Sequence, residues 1–346
     1  MYRLCKRRGS PTESGSDGLN TNTIFQTLSL DRSQIHWEEH LLELTPLEEV
    51  DGVWFKREDY FAPLGYGGIN GSKLRQCIYL VDGYVRTAPR PKGIVSGASV
   101  KSPQLPMSTA VASHYGLSTI CVIGATYFPR AMENENVAMA QKFGAEFDII
   151  KVAYNPALQR RVRELAARDP DLFLLEYGIS LDHYKNSPAA VEAFHRIGAE
   201  QVQNLPDQME NLVIPTGSGN SAVSILYGLT LFPPKNLHKV YLIGIGPPKI
   251  DWIYERLALI VKASWRMPLM DFSHDLHTSR YASYSDEIRW NYGGIDFHPT
   301  YEGKVMKYLE EKLPQLLRSD GKTCVWVVGS RPSWIAMEKV LEPCRI

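Results

Sequence analysis

Within the run GGINGSKLRQ, residues 67 to 76, a single lysine, Lys73, sits in a glycine-rich turn that opens onto a helical pattern. A lysine amine is a poor nucleophile while protonated, but a dry pocket or a nearby positive group lowers its pKa and lets it form an imine with an aldehyde. Gly67, Gly68 and Gly71 suit that use, because they let the backbone bend tightly and come close to a flat ligand. Taken alone, the stretch reads as a surface lysine at a loop-to-helix junction. Its chemistry therefore depends on partners elsewhere in the chain.

Three other stretches carry groups that such a lysine would need. The strand pattern NLVIP (211 to 215) runs into TGSGNS, Thr216 to Ser221, and then into a helical pattern, gathering N–H groups and hydroxyls at a helix N-terminus. Free N–H groups and the positive end of the helix dipole suit a phosphate, and glycine permits its close approach. The run lacks the lysine of a Walker loop and the full Rossmann glycine spacing, so a single phosphate fits better than a triphosphate or a dinucleotide. A tight strand-to-helix turn is the plain alternative. In GGIDFHPTYEGKVMKYLEEKL, Tyr301 and Glu302 open a helical pattern. A tyrosine can stack on an aromatic ring, and a carboxylate can accept from a ring N–H and keep that nitrogen protonated, although an acidic residue also favours any helix N-terminus. In SGASVKSPQ, 96 to 104, Ser99, Ser102 and Gln104 sit where a strand passes through a loop into a helix. That is a place for a small polar ligand, or for ordinary helix capping by Ser102.

The elements that must position these groups alternate along the chain. Strand patterns at 53–59, 93–97, 118–124 and 147–152 alternate with helical ones near 104–116, 130–143 and 156–168. A second set follows, with strands at 211–215, 239–246 and 323–329 and helices near 187–203, from about 220, at 249–262 and at 302–317. Such alternation implies right-handed crossovers and an α/β fold with a parallel sheet. The segment 264–299, rich in Tyr, Ser, Asp and His, has no clear period.

With 346 residues the chain exceeds one hydrophobic core, and 44% hydrophobic content fills two lobes. Lys plus Arg and Asp plus Glu both number 38, so no net field draws the protein toward nucleic acid or an anionic membrane. Cys5, Cys77, Cys121, Cys324 and Cys344 are odd in number and lack paired spacing, which points away from a disulfide framework or a zinc site and toward a reducing, cytoplasmic compartment. Residues 1–24 combine a basic cluster, Lys6 to Arg8, with later acidic residues and no apolar run, and are expected to be a flexible tail. No apolar run is long enough to span a membrane. An HxxH pair, His274 and His277, with Asp271 nearby, lacks a recognised ligand set, so no metal is expected there.

Taken in order over roughly residues 44 to 329, these pieces resemble the tryptophan-synthase-β-like family of pyridoxal-phosphate enzymes, of fold type II. The branch most similar contains aminocyclopropane-carboxylate deaminase and D-cysteine desulfhydrase. The resemblance is carried by TPLEEV, WFKRED, the turn before Lys73, the serine loop followed by ASHYGL, the GSGNS cup and GIDFHPTYEGKVM. It implies a two-lobed open parallel-sheet fold, with 25–74 and 181–346 in a large lobe and 75–180 in a small one. Pyridoxal 5′-phosphate would be joined to Lys73, with its phosphate held by Gly217, Ser218, Gly219, Asn220 and Ser221. Tyr301 would lie against its ring and Glu302 would face the ring nitrogen. Ser102 would sit near the substrate's α-carbon as a catalytic group beside Lys73 and Tyr301, with Ser99 and Gln104 on the substrate. A homodimer is implied by the resemblance only.

Two departures bear on the chemistry. Ser72 precedes the lysine where the deaminase branch has asparagine, and Pro103 follows the active-site serine where asparagine is expected. Proline offers neither a side-chain amide nor an N–H, so part of the usual grip on the substrate carboxylate is missing. The expectation is a lyase acting at the α-carbon of an amino acid or an amino-acid group, by decarboxylation, deamination or β-elimination. A loosely held carboxylate in a dry site favours loss of CO₂. A bulkier substrate also fits, such as an aminoacylated nucleoside of the kind made in viral DNA hypermodification; the basic tail, Lys6 to Arg8, and Lys101 are compatible with a nucleic-acid phosphate without establishing one, a solvated tail being the plainer reading. The rival is a non-catalytic binding or regulatory protein of the same fold, favoured by the loss at Pro103 and opposed by retention of Lys73, the cup and Glu302.

Overall fold

A computed structural model describes residues 37–65, 68–181, 187–261, 269–273, 283 and 286–329. The expected tail, Gly67, Cys5, Cys344 and the HxxH pair lie outside the described residues.

Six strands form the larger sheet: β1 (Leu47–Val50), β2 (Val53–Arg57), β7 (Asn211–Thr216), β8 (Lys239–Gly244), β9 (Leu269–Ser273) and β12 (Thr323–Val327). Their order is β1-β2-β12-β7-β8-β9, and all neighbours are parallel except the β1–β2 hairpin. A four-stranded parallel sheet of order β5-β4-β3-β6 holds β3 (Gly93–Gly97), β4 (Ser118–Gly124), β5 (Ala145–Ile150) and β6 (Leu172–Leu175). A short β10–β11 hairpin, Asn291–Tyr292 with Ile295–Asp296, stands apart.

The central strands are apolar on both faces because helices cover both. Leu212 and Ile214 of β7 with Cys324 and Trp326 of β12 enter one core. The alternate residues Val213, Val325 and Val327 enter another on the opposite face. The smaller sheet repeats the device, with Cys121 and Ile123 on one side of β4 and Val122 on the other.

The helices that matter for the site are α2 (Ser72–Thr87), α3 (Gln104–His114), α8 (Asn220–Leu231) and α10 (Glu302–Lys312), which in chain order stand among α1 (Trp37–Leu42), α4 (Phe128–Met132), α5 (Glu135–Lys142), α6 (Asn155–Arg168), α7 (Pro188–Ala199) and α9 (Ile250–Ile260). The expected helix over 130–143 is two, because the Asn134 carboxamide accepts the Asn136 N–H and starts α5 afresh. The expected start of the small lobe at residue 75 falls inside α2, which runs on without a break to Thr87. Strands β1, β6, β9, β10 and β11 carried no legible pattern, being short, edge-placed or irregular in sequence. Among the described residues, no helix is long and apolar enough to cross a membrane.

Candidate active site

Chain segments leaving the C-terminal ends of β3, β7 and β12 converge on one cleft, the place where open parallel sheets bind ligands. It encloses about 640 Å³, counting space open to solvent, and is lined by Lys73, Pro103, Gly219, Ser221, Tyr301 and Gly329 among others. That volume lies in the range of small-molecule sites.

Lys73 arrives there through the first turn of α2. The helix starts at Gly71, whose φ is +93°, and a Cβ on that residue would lie 2.3 Å from the Val328 carbonyl oxygen, so only glycine fits. The same turn is fixed from below by a buried ion pair. Arg75 Nη2 lies 3.5 Å from Glu58 Oε1, its Nη1 donates to the Leu41 carbonyl at 2.5 Å, and the guanidinium packs 3.8 Å from the centre of the Phe61 ring. Glu58 also accepts from the Ser72 hydroxyl at 3.1 Å, which gives the residue preceding the lysine a structural use. Lys73 Nζ lies 5.9 Å from the centre of the Tyr301 ring and has no hydrogen-bond partner among the described residues. Burial lowers its pKa to about 8. Lys56 and Lys304 are also pushed down to about 8 by burial, but Lys56 donates to the Thr45 carbonyl at 2.6 Å and to Asn204 at 2.7 Å, and Lys304 to the Ser283 carbonyl at 2.6 Å. Of the three, Lys73 alone lines the cleft.

Opposite the lysine, β7 passes through Gly217, Ser218 and Gly219 into α8. Gly219 has φ of +95° and no side chain caps the helix, so its first N–H groups stand unsatisfied by the helix itself. A Cβ on Gly219 would lie 2.9 Å from the Trp252 ring, which makes glycine obligatory at the lip. Gly217, Ser218, Gly219 and Ser221 all face the cleft that holds Lys73.

Glu302 is wholly buried at the start of α10, and burial raises its pKa to about 8. Its Oε1 accepts the Val328 N–H at 2.7 Å, while Oε2 has no partner among the described residues. It stands behind Tyr301, Val328 and Gly329, which line the cleft. The amine without a partner, the uncapped helix end and the orphaned carboxyl oxygen match the aldehyde, phosphate and ring nitrogen of pyridoxal phosphate, so this site fits that group.

Besides Glu302, which lies behind the wall, four expected residues do not line the cleft. Gln104 is fully buried, with its amide donating to Ser96 Oγ at 2.9 Å and to the Glu176 carbonyl at 3.1 Å, and its Oε1 accepting the Gly178 N–H at 2.8 Å. Asn220 donates to the Gly178 carbonyl at 3.0 Å. Both amides thus steady the turn at Gly178 and Ile179, whose φ values are +72° and +59°, an unusual conformation for a β-branched residue. Ser99 Oγ accepts the Lys101 N–H and Ser102 Oγ the Gln104 N–H, each at 3.3 Å, so their hydroxyls shape the loop before α3. The wall on that side is instead Pro103 and Met107.

Asn70 and His298 line the cleft without having been singled out, as does Thr216 at the head of the expected phosphate run. His298 accepts the Thr300 N–H on Nδ1 at 3.1 Å and meets the Tyr301 ring edge-on at 4.7 Å. Its place three residues before Tyr301 was the available signal.

Parallel strands in two sheets, with ligand-binding loops at their C-terminal ends and an uncapped helix facing a partly buried lysine, define the class of fold. The model of the family described as pyridoxal-phosphate dependent enzyme matches residues 33–271. The chain is 39% identical to the O-seryl-dTMP PLP-dependent decarboxylase of Salmonella phage ViI, over 90% of this chain and 87% of that one. Among solved structures, an ACC deaminase homologue superposes with a TM-score of 0.63 at 20% identity, covering 83% of this chain and 89% of that one. Threonine deaminase isoform 2 of Solanum lycopersicum gives 0.53 at 14% identity, covering 97% and 90%. The chain belongs to the pyridoxal-phosphate dependent enzymes of fold type II. Pyridoxal 5′-phosphate is its cofactor, and the protein is a lyase of that family.

Proposed function

We propose that the protein is a decarboxylase of a seryl group carried on a thymidine nucleotide. The observation that carries this reading is the cleft wall at Pro103 and Met107, with Gln104 turned away into the fold. A substrate carboxylate placed against that wall meets apolar surface in place of amide donors. Poor solvation of the charge favours its departure as neutral CO₂. The relative from phage ViI, named for this activity, supports the same substrate class. A decarboxylase needs a free carboxylate, so the seryl group is joined to the nucleotide elsewhere, through its hydroxyl oxygen.

The chemistry that pyridoxal phosphate supplies when bound is a sink for the electron pair left at the substrate's α-carbon. Lys73 would join its aldehyde, Gly217, Ser218, Gly219 and Ser221 would hold its phosphate, and Glu302 would share a proton with its ring nitrogen. Tyr301, whose ring centre lies 5.9 Å from Lys73 Nζ, would lie against the cofactor's ring. With the substrate's amine in its place on the aldehyde, Lys73 would stand free as an ammonium and would give its proton to the α-carbon as the bond to the carboxylate breaks and CO₂ leaves. Exclusion of water by Pro103, Met107 and Tyr301 protects that proton transfer. The four-stranded sheet, roughly 75–180, forms the small lobe of this arrangement, and the active form is a homodimer.

The test is CO₂ release by the holoenzyme from O-seryl-dTMP, supplied free and within an oligonucleotide, against free L-serine. CO₂ from either nucleotide form and none from serine is the expected result. Ammonia or keto acid from free amino acids, without CO₂ from any substrate, would overturn the proposal.

A further inference from the structure

A second, polar pocket of about 300 Å³, counting space open to solvent, borders the cofactor cleft, lined by Lys101, Asn134, Asn136, Glu287, His298 and Thr300 among others. His298 lines both cavities. On either side of it the same chain segments serve both, since Lys101 and Thr300 face the second cavity and Pro103 and Tyr301 the first. A ligand lying in the cleft with its reacting carbon near Lys73 thus has a polar chamber beside it. The proposed role of the cleft, which uses the amino-acid end of the substrate, does not use that chamber.

We propose that the second cavity holds the pyrimidine nucleotide to which the seryl group is attached. This rests on the decarboxylase reading above and names the subsite that gives it its substrate. Asn136 Oδ1 is buried without a hydrogen-bond partner among the described residues. A buried acceptor left unpaired is costly, so it marks a place where a ligand donor belongs. Its carboxamide presents an acceptor and a donor side by side, which matches the N3–H and the flanking carbonyl of a thymine imide edge. Asn134, whose carboxamide oxygen accepts the Asn136 N–H at 3.0 Å, fixes the start of α5 and therefore the position of Asn136. Lys101 supplies the cation for a phosphate. Its ammonium forms an ion pair with Glu287 Oε1 at 3.6 Å and lines the cavity, which places a positive charge within reach of a phosphate there.

The experiment measures binding of dTMP and of N3-methyl-dTMP to the holoenzyme by calorimetry, for the wild type, Asn136→Leu, Asn136→Ala and Lys101→Ala. The cofactor's absorbance band serves as the check that each variant is folded and loaded. N3 methylation is expected to weaken wild-type binding about tenfold, and both Asn136 variants to lose about tenfold for dTMP while ceasing to distinguish the two ligands. Lys101→Ala is expected to lose about tenfold for dTMP, with a flatter dependence on salt. If the wild type binds dTMP and its N3-methyl form equally, the assignment fails whether or not any variant folds. If O-seryl-dTMP is decarboxylated while all three variants bind dTMP as the wild type does, the subsite alone is wrong. If the wild type neither binds dTMP nor releases CO₂ from O-seryl-dTMP, the decarboxylase reading falls with it.

Discussion

At Lys73, burial sets the ionisation and the Tyr301 ring sets the surroundings. With the amine titrating near pH 8, the neutral nucleophile is a tenth of the total about one unit below that and predominates about one unit above. The rate at which the cofactor's visible band grows on adding pyridoxal phosphate to the apoprotein is therefore expected to rise from pH 6.5 to about 9 and then level off, at roughly the span those fractions set. A rise continuing beyond pH 10 would mean an ordinary, solvated lysine. Glu302 carries a prediction of opposite sense. Its carboxyl is raised to about 8 by burial, against roughly 4.3 in an unfolded chain, so its contribution to apoprotein stability is intact below about pH 4 and is lost as pH rises toward 8. Glu302→Gln retains an acceptor for the Val328 N–H and removes the titration. Urea denaturation at pH 5 and pH 8 should show a smaller loss of stability between the two pH values for the variant than for the wild type.

The lysine and the carboxylate were legible because each sits in a run whose glycines or helix start fix it locally. Gln104 was not, since its amide is used by Ser96, Glu176 and Gly178, partners 8, 72 and 74 residues away that no local pattern reveals. His298 lacked a signal of its own beyond its closeness to Tyr301.

Among the elements, the proposed phosphate cup depends on one backbone angle and the lysine helix on one buried ion pair. Gly219→Ala places a Cβ at a φ of +95° against Trp252, and is expected to weaken pyridoxal-phosphate affinity at least about tenfold and to cost about 1–3 kcal/mol of stability. Titration of the cofactor into the apoprotein reads the first and thermal denaturation the second. Glu58→Ala leaves the Arg75 guanidinium buried without its counter-charge, with an expected cost of about 3–5 kcal/mol. An unchanged denaturation midpoint would show that Arg75, Ser72 and Glu58 do not anchor α2 as described. Strands of the parallel cores stood out in the sequence, β3 and β4 to the residue, because burial on both faces makes them continuous apolar runs. The missed strands pair at edges or lie within 264–299, where side chains answer to neighbours distant in sequence and not to a period.

For the molecule as a whole, two parallel sheets bring three loop systems to one cleft, and the balance of 38 basic and 38 acidic residues leaves substrate capture to local groups. Lys101 is such a group, lining the polar chamber beside the cofactor cleft. Every step of the account passes through the bond between the cofactor and one lysine. The most direct test reduces the holoenzyme with borohydride, digests it and maps the pyridoxyl mass by peptide sequencing. The account predicts a single label on Lys73, absent in Lys73→Ala; a label on Lys56 or Lys304, or none on any lysine, would contradict it.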